Sequence, residues 1–201
     1  MLLILFTFFT SLFNGRDHDK TVMVTKSVVI SKESKMFLEG GTNVNLYNCD
    51  CEDQSSSISM TIANEGDHAT FQNAIIKLKP QNFECHNAIY NSNIRKILEA
   101  DKYPFITVAL LETWQDSGLL STASHSWFDI VSKVNVTIKG ITQTNSVNAR
   151  AQYLGGNKIR ITGEQQISMP DFGIEVPKYM CGLVKVKDQI VFNFDLVVEV
   201  I

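Results

Sequence analysis

Residues 189–200 read QIVFNFDLVVEV, and this stretch decides which fold we expect. Successive side chains of a β-strand point to opposite faces, so a regular alternation of apolar and polar residues predicts a half-buried strand. Polar side chains fall on one face at Asn193, Asp195 and Glu199. The other face is apolar throughout and carries Ile190, Phe192, Phe194, Leu196, Val198 and Val200. Such strands are typical of antiparallel sheets that cover a core on one side only.

The same alternation recurs along the chain and predicts an all-β protein. Val134, Val136 and Ile138 alternate with polar residues, and so do Ile159 and Ile161. Glycine-rich turns such as Gly40-Gly41 and Gly155-Gly156 separate the runs, which is the spacing of hairpins and meanders. Counting all candidates, we expect about eight to ten strands. The further candidates are residues 21–30, 34–39, 57–63, 69–78, 105–112 and 147–153.

One segment, residues 93–100, departs from this period and predicts a short helix. Its apolar residues Ile94, Ile97 and Leu98 recur at helical spacing. Asn93 is a residue type that caps helix starts, and Pro104 closes the segment.

Size and charge limit the function classes. The 201 residues are 44% hydrophobic and 19% charged with a formal net charge of -3, which is ordinary for one soluble domain. A large cationic surface is absent from this composition, so we expect no nucleic-acid partner.

The first residues resemble an export signal. Residues 1–15 contain no charged side chain, whereas residues 16–20 are almost wholly charged. The apolar run is shorter than the roughly 20 residues that a membrane-spanning helix needs. We expect a signal peptide over residues 1–16 and one domain over residues 20–201 in a periplasmic or secreted protein. A buried first strand or a wrongly assigned start codon is the alternative.

Four segments, taken in order, resemble the YceI family of polyisoprenoid-binding proteins. They are a short helix leading into residues 100–106 (ADKYPFI), then residues 136–142 (VTIKGIT), residues 167–174 (ISMPDFGI), and residues 186–190 (VKDQI) before the terminal strand. The likeness covers roughly residues 34–201. It implies an antiparallel lipocalin-like β-barrel of about eight strands with one short helix.

The resemblance also implies a function, which is to hold an isoprenoid or other long apolar lipid in the barrel without catalysis. We expect the lipid to contact Phe71, Phe105, Val108, Leu110, Phe172, Ile174, Phe192 and Phe194. A barrel of eight strands is also narrow enough to be filled by its own side chains. The alternative is therefore a structural or interaction module of the cell envelope with a filled core. A homodimer and an envelope protein stay open as partners.

Four cysteines, at positions 49, 51, 85 and 181, allow disulfides but do not fix their pairing. A subgroup of the family carries Gly-x-Asn-Val-Asn followed by a cysteine, which is similar to residues 41–45 and Cys49 here. That resemblance implies a Cys49–Cys85 disulfide and leaves Cys51 and Cys181 open. A zinc or copper site at Cys49, Cys51, Cys85 and His86 is a weaker alternative, and we expect no metal.

Catalytic motifs are missing from the sequence. The histidines at positions 18, 68, 86 and 125 stand apart, and neither a Gly-x-Ser-x-Gly nor a His-Glu-x-x-His pattern occurs. We therefore expect neither an enzyme nor a cofactor other than a bound lipid.

Overall fold

The computed structural model describes residues 22–51, 56–65, 67–115, 126–176, 178–179 and 183–201. Within them the chain forms an antiparallel β structure and one α-helix, α1 (Ala88–Ile97), which confirms the predicted fold class. The strands are β1 (Val22–Ile30), β2 (Lys35–Gly41), β3 (Leu46–Cys51), β4 (Ser57–Glu65), β5 (His68–Gln72), β6 (Ile75–Leu78), β7 (Phe83–Glu84), β8 (Ile106–Gln115), β9 (Trp127–Ile138), β10 (Ile141–Gly155), β11 (Lys158–Ser168), β12 (Lys178–Tyr179), β13 (Val184–Lys185) and β14 (Gln189–Val200).

Eight of these strands close into a barrel. Their order is β1-β4-β5-β8-β9-β10-β11-β14, and β14 pairs back onto β1 with Val28 opposite Val200. Because every neighbouring pair is antiparallel, short hairpins suffice to connect β4 to β5, β9 to β10 and β10 to β11. Closure leaves no free edge among these eight strands at the level where β1 meets β14.

A three-stranded extension shares strand β14 with the barrel. Strand β2 pairs with the first half of β14, from Val191 opposite Glu39 to Asp195 opposite Lys35, and then leads to β3 and β7. Strands β1 and β2 thus lie end to end along one side of β14. At the break between them, the Ser34 hydroxyl accepts a hydrogen bond from the Val197 amide at 2.9 Å, which takes the place of a strand pairing.

The strand expected over residues 69–78 is instead two strands, β5 and β6, and the prediction is wrong on this point. Asn73 adopts a left-handed conformation with φ of 62°, which interrupts the extended backbone. Both halves still pair with β8, through Thr70 opposite Glu112 and Ile75 opposite Ala109.

Helix α1 exists as predicted, but its start was placed wrongly. The cap is Asn87, whose side-chain oxygen accepts hydrogen bonds from the Ile89 and Tyr90 amides at 2.9 and 3.3 Å. Asn93 lies inside the helix rather than before it. Asparagine is a favoured capping residue at both position 87 and position 93, so residue type and apolar spacing did not show which of the two starts the helix.

No helix in the described part of the chain is long and apolar enough to span a membrane.

Candidate functional site in the barrel interior

The barrel encloses a cavity of about 420 Å³, lined by inward-facing side chains of its strands. This volume falls within the roughly 300–1,000 Å³ of small-molecule pockets. The terminal strand shows how alternation builds the lining, since its predicted apolar face points inward at every position. Its lining residues are Ile190, Phe192, Phe194, Leu196, Val198 and Val200.

Polar side chains are sparse along this lining. Apart from two tyrosines, they are Lys26, Thr42, Asn93, Thr113, Ser132 and Gln165. The Thr113 and Ser132 hydroxyls satisfy each other in a buried hydrogen bond of 3.0 Å. An interior with so few polar groups offers little to ordered water and is suited to an apolar ligand.

A glycine in the wall makes room for an aromatic ring. Gly163 lies directly opposite Phe194 in the β11–β14 ladder. A Cβ atom at position 163 would lie 2.6 Å from Cζ of Phe194, closer than atoms can approach. The missing side chain therefore lets Phe194 lie against the wall instead of projecting further into the cavity.

This one cavity is lined by six of the eight residues that we expect to contact the lipid. They are Phe71, Val108, Leu110, Ile174, Phe192 and Phe194. Their contact with a lipid stays a prediction. The structure does not bring the other two to the lining. Phe105 lies on the outside, 41% exposed, with the Lys77 Nζ atom 5.6 Å from its ring centre. Phe172 is buried in the hydrophobic core, in the 3-10 turn Met169–Phe172.

One end of the cavity is covered by elements that the sequence did not place there. Helix α1 contributes Tyr90, Ile94 and Ile97 to the lining, and the β2–β3 hairpin contributes Tyr47. The Tyr47 and Tyr90 ring centres are 5.4 Å apart. The apolar spacing of Ile94 and Ile97 did predict an apolar helix face, but it carries no information on what that face covers.

A disulfide between Cys49 and Cys85, the pair that the resemblance implied, joins strand β3 to the residues before α1. The Cys85 amide donates to the Asn91 side chain at 2.7 Å, and Asn91 donates to Glu84 at 2.7 Å. This second hydrogen bond is the main reason that the pKa of Glu84 lies below its usual value. Helix α1 is thus attached to the sheet extension by a covalent bond and by a buried asparagine.

The disulfide occupies two of the sulfur atoms that a metal site would need. His86 is exposed and its Nε2 atom lies 2.9 Å from Asp50 Oδ2. The described residues contain no cluster of three or more histidine, cysteine, aspartate or glutamate side chains with metal-binding geometry.

The ionisable groups near strand β8 lie on the outer face of the barrel. Nε2 of His68 lies 3.1 Å from Glu112 Oε2, and the His68 ring stacks on Trp114 at 4.9 Å. A hydrogen bond from Lys133, followed by the one with His68, lowers the pKa of Glu112. None of these groups lines the cavity among the described residues.

Residues 20–198 match the family model of the YceI-like domain. The chain belongs to the YceI-like family. Two solved structures share this YceI-like fold. One is a polyisoprenoid-binding domain from Saccharophagus degradans implicated in plant cell wall breakdown, with 12% identity, a TM-score of 0.59, and coverage of 86% of this chain and 97% of that chain. The other is BcnA of Burkholderia cenocepacia, with 15% identity, a TM-score of 0.57, and coverage of 82% and 96%. No curated protein matches the chain in sequence.

Proposed function

We propose that this YceI-like barrel is a carrier that binds the tail of an isoprenoid or similar long apolar lipid without catalysing a reaction. The observation that supports the proposal most is the cavity itself, which is apolar along nearly its whole lining. The fold similarity to a domain described as polyisoprenoid-binding is consistent with it.

The energetics favour such a ligand. Each Å² of apolar surface removed from water contributes about 25 cal/mol, so a hydrocarbon tail inside the barrel needs no ion pair to bind tightly. The lining supplies aromatic and branched side chains, among them Phe71, Leu110 and Phe192. We further propose a periplasmic or secreted location, because disulfides such as Cys49–Cys85 persist mainly in oxidising compartments.

The test is extraction of the purified protein with organic solvent, followed by mass spectrometry of the extract. Val108 lines the cavity on β8, while the adjacent Ala109 does not. We expect Val108→Trp to reduce the lipid recovered per protein severalfold, because an indole fills the space that the tail needs. Ala109→Trp adds the same side chain to the same strand on its other face, and we expect it to retain the lipid.

Thermal unfolding of both variants serves as the folding control. Wild-type protein from its own host that yields no lipid would contradict the proposal. Equal lipid recovery from folded Val108→Trp and Ala109→Trp would do so as well. Either result would favour the envelope module with a filled interior.

A further inference from the structure

Large hydrophobic side chains are most exposed at one end of the barrel. Five such residues in the described chain are at least 68% exposed, namely Val44, Leu46, Ile89, Leu183 and Ile201. The first four are near one another in the fold. Val44 lies in the turn between β2 and β3, and Leu46 begins β3. Ile89 precedes the cavity-lining Tyr90, whose ring centre is 5.4 Å from that of Tyr47, and Leu183 precedes β13. Ile201 follows β14 at the opposite end.

Hydrogen bonds hold the two exposed turns together as one surface. The Asn43 amide donates to the Lys185 carbonyl at 3.0 Å, and the Asn43 side chain donates to the Leu183 carbonyl at 3.0 Å. The Lys185 amide donates back to the Asn43 side chain at 2.9 Å. We call Val44, Leu46, Leu183, Lys185 and Lys187 the apolar rim.

The apolar rim adjoins the cavity. Thr42 and Val186 line the cavity and are partners in a β-bridge, so the exposed side chains project from the same two segments that form this part of the lining. Lys185 and Lys187 are exposed beside Leu183, against one acidic residue, Asp188, in the same segment. Residues 183–188 therefore carry a net positive charge in a chain whose formal net charge is -3.

We propose that the apolar rim docks on the surface of a lipid bilayer that contains anionic head groups. Val44, Leu46 and Leu183 enter the boundary between head groups and acyl chains, while Lys185 and Lys187 contact lipid phosphates. Protruding side chains at turn tips suit insertion into a fluid layer, whereas a protein partner needs a broad complementary surface. This position brings the adjoining part of the cavity to the membrane, where long apolar lipids reside.

Vesicle binding tests the proposal on the full chain. The probes are vesicles of phosphatidylcholine alone and of phosphatidylcholine with phosphatidylglycerol, and the readout is cosedimentation. We expect Val44→Ser/Leu46→Ser/Leu183→Ser to lower the partition coefficient at least about tenfold on both vesicles. The matched control is Met23→Ser/Ile201→Ser, which removes apolar side chains that are 59% and 71% exposed elsewhere and leaves partitioning unchanged.

Charge is tested separately with Lys185→Gln/Lys187→Gln. We expect this variant to weaken binding to anionic vesicles severalfold and to leave binding to neutral vesicles unchanged, because each lysine near an anionic surface adds attraction that salt screens. Lys185→Arg/Lys187→Arg keeps the charge and retains binding.

Three outcomes would overturn the proposal. They are wild-type protein that does not bind either vesicle, equal losses in the rim and control variants, and a rim variant that changes only the oligomeric state, which would show a protein-facing surface. All the substituted positions are exposed, so we expect the variants to unfold at the same temperature as the wild type. That result establishes that the fold is intact. The measurement requires no bound cargo, so failure here leaves the lipid-carrier proposal standing, and failure of lipid extraction leaves membrane docking testable.

Discussion

Phe194 is the residue at which packing and ligand binding are hardest to separate. It lines the cavity, its ring centre is 6.5 Å from that of Phe192, and it contacts both hydrophobic clusters of the barrel. In an ordinary core, Phe194→Ala costs about 3–5 kcal/mol of unfolding free energy. In a cavity wall the ring has fewer protein neighbours, and part of its contribution comes through the ligand.

We predict that Phe194→Ala destabilises the lipid-loaded protein more than the stripped protein, because the variant binds the lipid less tightly and a weaker ligand stabilises the native state less. Urea unfolding of loaded and stripped preparations measures both losses. Phe172→Ala is the control, since Phe172 is also aromatic and is buried in the core but does not line the cavity. Its loss should be the same in both preparations. Identical losses for Phe194→Ala in the two states would contradict a ligand contact at this ring.

Side-chain alternation accounts for the predicted site residues that line the cavity and for one that does not. Ile106, Val108 and Leu110 share the inner face of β8, so Phe105 falls on the outer face by the same rule. The prediction that Phe105 contacts the lipid followed its aromatic character and not its position beside the strand. Lys26 and Gln165 occupy inward positions of apolar runs and were missed, because polar residues are usually assigned to the wet face.

At the scale of elements, the disulfide determines how α1 is attached. Its two cysteines are 36 residues apart, and they connect β3 to the segment that leads into the helix. The chain-entropy model gives about 4 kcal/mol of stabilisation for a loop of this length. Without the disulfide, the hydrogen bonds of Asn91 with Cys85 and Glu84 would be the main polar connection between α1 and the three-stranded extension.

We predict that Cys49→Ser/Cys85→Ser lowers the unfolding free energy by about 4 kcal/mol, measured by urea unfolding under oxidising conditions. Adding a thiol reductant should lower the stability of the wild type toward that of the variant and leave the variant unchanged. A variant as stable as the oxidised wild type would show that this loop is already restricted in the unfolded chain.

The pairing of elements was less predictable than their existence. Alternation predicted most barrel strands, yet the β5–β6 break depends on a single left-handed residue, Asn73, within an otherwise continuous pattern. The helix start depended on whether Asn87 or Asn93 makes the cap, and tertiary contacts of Asn91 with Glu84 and Cys85 favour the earlier start. The closeness of the β2–β3 turn to residues 183–187 comes from long-range pairing, which no local pattern encodes.

For the molecule as a whole, the first testable property is its processing. The predicted signal peptide lies outside the described residues. We predict that protein exported from its own host begins between residues 17 and 20, because a charged segment follows an apolar run of signal length. Intact mass measurement of the exported protein gives the start directly. A mature protein that begins at Met1 would contradict both export and the oxidising-compartment argument for the disulfide.

Strand β14 contacts three parts of the fold at once, and this has a consequence for how the protein folds. It pairs with β11, with β1 and with β2, and its hydrogen bond between Val197 and Ser34 spans 163 residues. Because synthesis proceeds from the N-terminus, β1 and β2 each keep one edge unpaired until β14 has been made. Folding that depends on such distant pairing is slow and leaves open edges exposed to aggregation. We therefore expect the incomplete chain to be most prone to aggregation just before its final barrel strand is available for pairing.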